Sequence, residues 1–335
     1  MKPTIDDIAR ASGVSKGTVS RVLNGHSTVA PGTRERVLGI MTDLGYRPDP
    51  AARQLSWRTG HALGLSVLEG DPLLSPYHVL FRRAVEREIG PLGLTLDDVG
   101  EDFAGLAHWP SAMLVMHVRE DDPRLRELRR RGVPTVLVGH HPAWSWVAPD
   151  DRGGARLAAK RLTDLGHRDL LFVGDGDSQV SRDRLGGFRD GAREVGARVR
   201  AVPADFTTLG GYRALSKAWE GLVSGRDARP SAVFAASDEM ALGVILALRD
   251  LGVQVPRDMS VVGFDGLPEL AAGGENWAGR LTTVAQDIGQ VAREALSLVL
   301  EALSNEAPRG VYVPVRLEAG ETVAPFSGQT LGGTV

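Results

Sequence analysis

Lys16, Gly17, Ser20 and Arg21 stand together on the outward face of a short helical stretch, near its N-terminus. Two cationic side chains and a hydroxyl at this spacing are suited to hydrogen-bonding anionic, donor-rich and acceptor-rich surfaces such as the phosphates and base edges of nucleic acid. Such chemistry requires a rigid support, and the flanking residues supply it. Ile5, Ile8 and Ala9 recur at helical spacing behind Thr4, with Asp7 three residues on to complete a capping box, so a first helix starts near Thr4. Gly13 ends it, because a tight turn needs a residue free to take positive φ, and Ser15 offers the next N-cap. Val19, Val22 and Leu23 then face inward from the second helix, and a third helical stretch follows. Two short helices joined by a Gly-bearing turn form a helix-turn-helix, whose second helix fits the major groove; a buried helical hairpin has the same local pattern.

Charge separates this head from the remainder. Residues 1–60 carry nine Lys or Arg against five Asp or Glu, a net of +4, whereas the whole chain is −3 and the rest therefore −7. A positive head on a negative body fits a polyanionic partner.

Residues 4–55 as a whole, from Thr4-Ile-Asp-Asp-Ile-Ala through Ser15-Lys-Gly-Thr-Val-Ser-Arg-Val-Leu-Asn24 to Pro48-Asp-Pro-Ala-Ala-Arg-Gln-Leu55, resemble the head of the lactose-repressor and galactose-repressor (LacI/GalR) family of bacterial transcription regulators. The resemblance runs on through nearly the whole chain. It implies that Lys16, Gly17 and Arg21 face base edges, with Arg21 suited to a bidentate contact to guanine. It also places Thr4, Thr18, Ser20, Asn24 and Thr33 against phosphates. Gly17 departs from the family, where a side chain at this position usually reads a base. Pro48 to Leu55 resembles the hinge helix that orders on operator DNA, with Ala52 against the minor groove and Leu55 wedged between base pairs.

The body alternates short aliphatic runs (62–68, 112–116, 135–138, 170–173, 232–235 and 259–263) with helical stretches such as 154–165, 240–251 and 287–302. That alternation predicts an α/β fold with parallel sheets. The expected organisation is an all-α helix-turn-helix domain at 1–47 and a hinge helix and linker at 48–60. A two-lobe body resembling periplasmic binding proteins follows at 61–330, with an N-lobe of about 61–148 plus 280–311 and a C-lobe of about 149–279 plus 312–330.

By the same resemblance, Ser75, Tyr77, Asp150, Arg184, Phe206, Ser237, Asp238 and Asp265 line an effector cleft between the lobes. An arginine, several carboxylates and an aromatic face suit a neutral polyol such as a sugar or nucleoside. Asp150 and Asp238 also stand where they could simply cap helices. Leu96 to Ala112 is too short and too acidic for the family's usual strand, helix and turn, so the N-lobe's second helix is expected to be truncated or lost. His167, in a Gly-His before a strand, has no ligand-spaced neighbour and is expected to be structural.

No nucleophile and base pair, phosphate loop or metal cluster is found, so no catalytic residue, metal or cofactor is expected. With no cysteine there is neither a disulfide frame nor a thiolate site. No segment resembles a signal peptide or is long enough to span a bilayer, which points to the cytoplasm and away from membranes. The predicted partners are double-stranded operator DNA, a small effector and a second copy of the chain. A homodimer is favoured over a tetramer because residues 327–335 lack apolar heptads. The competing expectation is a sugar-binding protein without a regulatory role.

Overall fold

The structure, a computed structural model, describes residues 4–23, 29–44, 62–67, 75–92, 94–103, 106, 108–119, 121–176, 178–224, 229–268, 279–304 and 306–328. The hinge expected at 48–60 lies outside these residues.

Among the described residues the head forms three helices, α1 (Ile5–Ser12), α2 (Lys16–Leu23) and α3 (Pro31–Asp43). Thr4 accepts from the Asp7 amide and Asp7 answers to the Thr4 backbone, so the capping box forms as read. Gly13 takes φ 67° at the turn, and the Ser15 hydroxyl accepts from the Thr18 amide at 3.1 Å. Ile8, Ala9, Val19, Val22, Val37 and Met41 close a small core of their own.

Among the described residues the body holds two six-stranded sheets. In the first, β1 (Ala62–Ser66), β2 (Thr95–Val99), β3 (Ala112–Met116), β4 (Thr135–Val138), β5 (Ser145–Pro149) and β11 (Gly310–Val313) are ordered β11-β5-β4-β3-β1-β2, and every pairing is parallel. In the second, β6 (Asp169–Gly174), β7 (Arg198–Pro203), β8 (Ala232–Ala235), β9 (Ser260–Asp265), β10 (Thr282–Gln286) and β12 (Val315–Glu318) are ordered β12-β10-β9-β8-β6-β7. Only β12 runs antiparallel, against β10. Strands such as β3 and β8 are buried along their whole length, as helix-covered parallel strands must be.

Helices α4 (Pro76–Ile89), α5 (Pro123–Arg131) and α10 (Ile288–Leu303) serve the first sheet, whose core joins Phe81, Val85, Val291 and Val299 to Leu63 and Leu114. Helices α6 (Asp151–Asp164), α7 (Gln179–Arg193), α8 (Thr208–Ser224) and α9 (Asp238–Asp250) serve the second, around Phe172, Phe188, Phe234 and Phe264.

The chain changes lobe three times, at 149–151, 286–288 and 313–315. The middle crossing differs from the boundary expected at 280. Thr282–Gln286 pairs with β9 and so belongs to the C-lobe, which makes Asp287 the turning point. The shortened N-lobe region also resolves. Strand β2 forms at the sheet edge, and no helix is present among the described residues from 100 to 111. Phe103 and Trp109, edge to face at 5.5 Å, pack there instead, with Arg131 over the indole at 4.2 Å.

Close helix packing holds α6 against α7, because a methyl group at Gly187 would stand 2.1 Å from the Arg152 carbonyl oxygen. Gly187→Ala should therefore force these helices apart and cost about 1–3 kcal/mol, read as a lowered urea midpoint. An unchanged midpoint would show that the helices can separate freely.

Candidate functional site

The head presents Lys16 and Gly17 exposed at the start of α2, with the Lys16 ammonium 2.6 Å from the Asp6 carboxylate. Thr18 and Thr33 are half-buried, and the Thr18 hydroxyl lies 2.9 Å from that of Ser15. The Thr4 hydroxyl donates to Asp7 within the capping box. Ser20 and Arg21 lie within α2, though their side chains are outside the described residues, as are Asn24, Ala52 and Leu55 altogether.

The body's polar centre forms where the ends of several strands meet, as expected of open α/β sheets. Arg184 projects from the second turn of α7 and is 4 % exposed. Its Nε donates to Asp151 Oδ1 at 2.8 Å, its Nη1 donates to the Ala236 carbonyl and lies 3.4 Å from Asp265 Oδ1, and its guanidinium covers the Phe264 ring at 3.6 Å. Asp265 ends β9 with φ 123°, a conformation that side-chain-bearing residues seldom adopt and that clusters at functional sites. Gln286, ending β10, donates to Asp265 at 2.8 Å and accepts from the Tyr77 hydroxyl of the N-lobe at 3.4 Å. A single hydrogen-bonded chain thus runs from Tyr77 through Gln286, Asp265 and Arg184 to Asp151, across both lobes. A second bridge joins them, the Ser75 hydroxyl donating to Glu239 at 2.8 Å.

Burial dominates the acid–base behaviour here. It pushes the Asp265 carboxyl up to about 6, against the opposing pull of Arg184 and the Gln286 hydrogen bond. It also raises Asp151, again against Arg184, and raises the Tyr77 phenol, with the negative charge of Asp265 adding to the effect. Tyr77 accordingly stays a hydroxyl donor at neutral pH.

The other expected cleft residues divide. Asp150 caps α6, accepting from the Gly153 amide at 2.8 Å, while also lining a recess between the lobes. Ser237 caps α9 through the Met240 amide at 3.1 Å. Asp238 caps nothing; it accepts from Thr283 Oγ1 at 2.6 Å and from the Leu267 amide at 2.8 Å, fixing the turn after β9. Burial raises its pKa well above the ordinary carboxylate range, and Asp265 adds to that rise. Phe206 is half-buried and packs on the C-lobe core. Arg184 and Asp265 are thus brought together directly, and Tyr77 joins them through Gln286.

Three partners escaped the sequence reading: Asp151, Gln286 and Glu239. For Asp151 there was a signal, the Asp150-Asp151 doublet at a helix start, in which the cap residue was preferred to its neighbour. His167 is structural as expected, its ring held between Ser231 Oγ at 2.9 Å and the Ala324 carbonyl at 3.0 Å.

Among the described residues no group of three or more His, Cys, Asp or Glu could hold a metal, and no helix is long and apolar enough to cross a membrane.

Comparison with known proteins agrees with this architecture. Residues 4–49 match the family described as "Bacterial regulatory proteins, lacI family", and residues 159–323 match "Periplasmic binding protein-like domain". The HTH-type transcriptional regulator CelR of Thermobifida fusca is 31 % identical, over 94 % of this chain and 95 % of that protein. Catabolite control protein A of Priestia megaterium is 28 % identical, over 95 % and 98 %. Among solved structures, a transcriptional regulator CelR–cellobiose complex superposes with TM-score 0.67 at 29 % identity, covering 96 % of this chain and all of the other. The lac repressor dimer bound to operator and the anti-inducer ONPF, at 24 % identity, shares the fold with TM-score 0.68 over 97 % of this chain and all of its own. Head, two-lobe body and full-length similarity converge: the chain is a DNA-binding transcriptional regulator that belongs to the LacI family.

Proposed function

We propose that this regulator works in the cytoplasm as a repressor, binding a near-palindromic operator as a homodimer under the control of a sugar or nucleoside-like effector held between the lobes. The observation that carries the reading is the bridge from Tyr77 through Gln286 and Asp265 to Arg184. Its groups are buried, apart from the half-buried Tyr77, and polar, of both hydrogen-bonding senses, and they join the lobes by side-chain contacts that a polyol's hydroxyls can replace.

The control is a population shift. A ligand inserted between Tyr77 and Arg184 must substitute for the Tyr77–Gln286 and Ser75–Glu239 contacts, so it favours a different angle between the lobes. Strand β1 begins directly after the hinge region, so that angle sets the spacing of the two hinges in a dimer and hence the fit to DNA. One head reads one half-site, and two-fold pairing places a second head about 34 Å along the duplex.

A transcriptional regulator CelR similar to this chain over 96 % of its length is solved as a cellobiose complex, which favours a saccharide. The test is anisotropy of labelled operator fragments from upstream of the chain's own gene, titrated with and without a panel of sugars and nucleosides. A compound that shifts operator affinity at least fivefold and raises the protein's melting temperature supports the reading. Saccharide binding without any sequence-specific DNA binding would instead favour a sugar-binding protein with no regulatory role.

Leu55 supplies a separate expectation. Leu55→Ala should weaken specific operator binding by roughly tenfold and reduce duplex bending while leaving non-specific binding intact. Equal bending by both proteins in a gel-phasing assay would remove the wedge.

A further inference from the structure

A second polar recess opens where the first and third lobe crossings run side by side, with about 420 Å³ of empty space continuous with solvent. One wall is the Tyr312 ring, on β11. It is 57 % exposed yet held from behind, because Trp146 meets it edge-on at 4.7 Å, and the indole lies where a side chain at Gly310 would have to be. The facing wall comes from the C-lobe: Gln179 and Asp183, four residues apart and so on one face of α7, together with Arg152 from the first turn of α6. His140 reaches across from the N-lobe to hydrogen-bond with Gln179, its Nδ1 standing 3.8 Å from Asp183.

Resting on the effector reading above, we propose that this recess is a subsite for a second pyranose ring, so that the effector is a disaccharide or longer glycan. A pyranose has one apolar C–H face and a rim of hydroxyls that both donate and accept. Tyr312 offers an aromatic face to the former, and Asp183, Gln179 and Arg152 offer acceptors and donors to the latter. The Arg152 guanidinium also argues against a cationic ligand, which the neighbouring carboxylates alone would suit. Its partner is Asp190, at 2.5 Å.

Continuity with the buried centre comes through Asp151. The same carboxylate lines the recess and receives the Arg184 Nε hydrogen bond at 2.8 Å. Two linked rings, one against Arg184 and one against Tyr312, would share it at their junction. A monosaccharide or nucleoside bound at Arg184 would leave the Tyr312 face uncovered.

The experiment is isothermal titration of the full-length protein with a panel of aldohexoses, their α- and β-linked homodisaccharides, and nucleosides, for wild type, Tyr312→Ala, Tyr312→Phe and Asp183→Asn. Tyr312 and Asp183 are both solvent-accessible, so unliganded melting temperatures should match wild type and confirm folding. In the wild type, one disaccharide should bind at least tenfold tighter than its monosaccharide. Tyr312→Ala and Asp183→Asn should each remove most of that advantage while changing monosaccharide affinity less than twofold, and Tyr312→Phe should keep it. Equal affinities for mono- and disaccharide, or equal losses for both in the variants, would overturn the subsite and leave the saccharide effector standing. Binding of a nucleoside alone would overturn the subsite but keep a small-molecule effector, and a panel with no binder at all would overturn both.

Discussion

Arg184→Met should destabilise the body by about 3–5 kcal/mol at pH 7.5 and by much less at pH 5. The size follows from what the substitution strands. Asp151 and Asp265 are nearly as buried as Arg184 itself, and the guanidinium is the cation beside both of them. Methionine keeps much of the volume and the contact with Phe264, so packing loss is small and the penalty is mainly two uncompensated carboxylates. At about 2–4 °C per kcal/mol, the melting temperature should fall by roughly 6–20 °C.

The pH dependence has a definite sign. In the wild type, Asp265 holds its proton more tightly folded, at about 6, than in an unfolded chain, at about 3.9. Its contribution to stability is therefore fully present below about pH 4, declines as pH rises to about 6, and is flat above. Without Arg184 both carboxyls lose the group that favours their ionised forms, so their pKa values climb further and the window extends upward. The deficit relative to wild type should shrink on acidification, because protonated carboxyls no longer miss their cation. Thermal melts of both proteins at pH 5 and 7.5 check this. An equal deficit at the two values would mean that shape, not charge, accounts for the loss.

How much of this centre was legible in the sequence depended on whether each residue's role was local. Six strands and three helices could be read because continuous aliphatic runs and helical periods announce them, as in β3 and α10. Strands β2, β7 and β10 were missed for physical reasons. The first two lie at sheet edges, where solvent-facing polar residues interrupt the apolar run: Asp97 and Asp98 in one, Arg198 and Arg200 in the other. In β10, Thr282 and Thr283 are fully buried by hydrogen bonds that depend on residues far away in sequence, Thr322 and Asp238. The misplaced middle lobe boundary and the unnoticed Gln286 have that single origin. Asp238 shows the same limit from the other side, since its position beside a helix start suggested capping or ligand contact, while its actual partners arrive from β10 and the turn after β9.

Arg21→Ala should sharply weaken sequence-specific binding to operator while leaving the body's melting and oligomeric state unchanged. A bidentate arginine–guanine contact is worth about 1–3 kcal/mol, and the proposed two-fold dimer would lose it at both half-sites, so the combined loss is about 2–6 kcal/mol, or roughly 30-fold to 10⁴-fold in affinity. On the proposed reading, Gly17 makes the head unusually dependent on this residue. It is exposed at the start of α2 and carries no side chain to read a neighbouring base, and among the described residues an added methyl group there would meet only the Ser15 hydroxyl, at 3.8 Å. Non-specific binding should persist, because the head keeps its other cations and the hydroxyls expected to face phosphates, Thr18 among them. The salt dependence of that residual binding should keep nearly the wild-type slope, since a base contact releases few counterions. Anisotropy on operator and scrambled duplexes across a salt series separates the two terms. If Arg21→Ala weakened both duplexes alike and flattened the salt slope, Arg21 would be a phosphate contact, and specificity would have to reside in Lys16 or in deformation of the DNA.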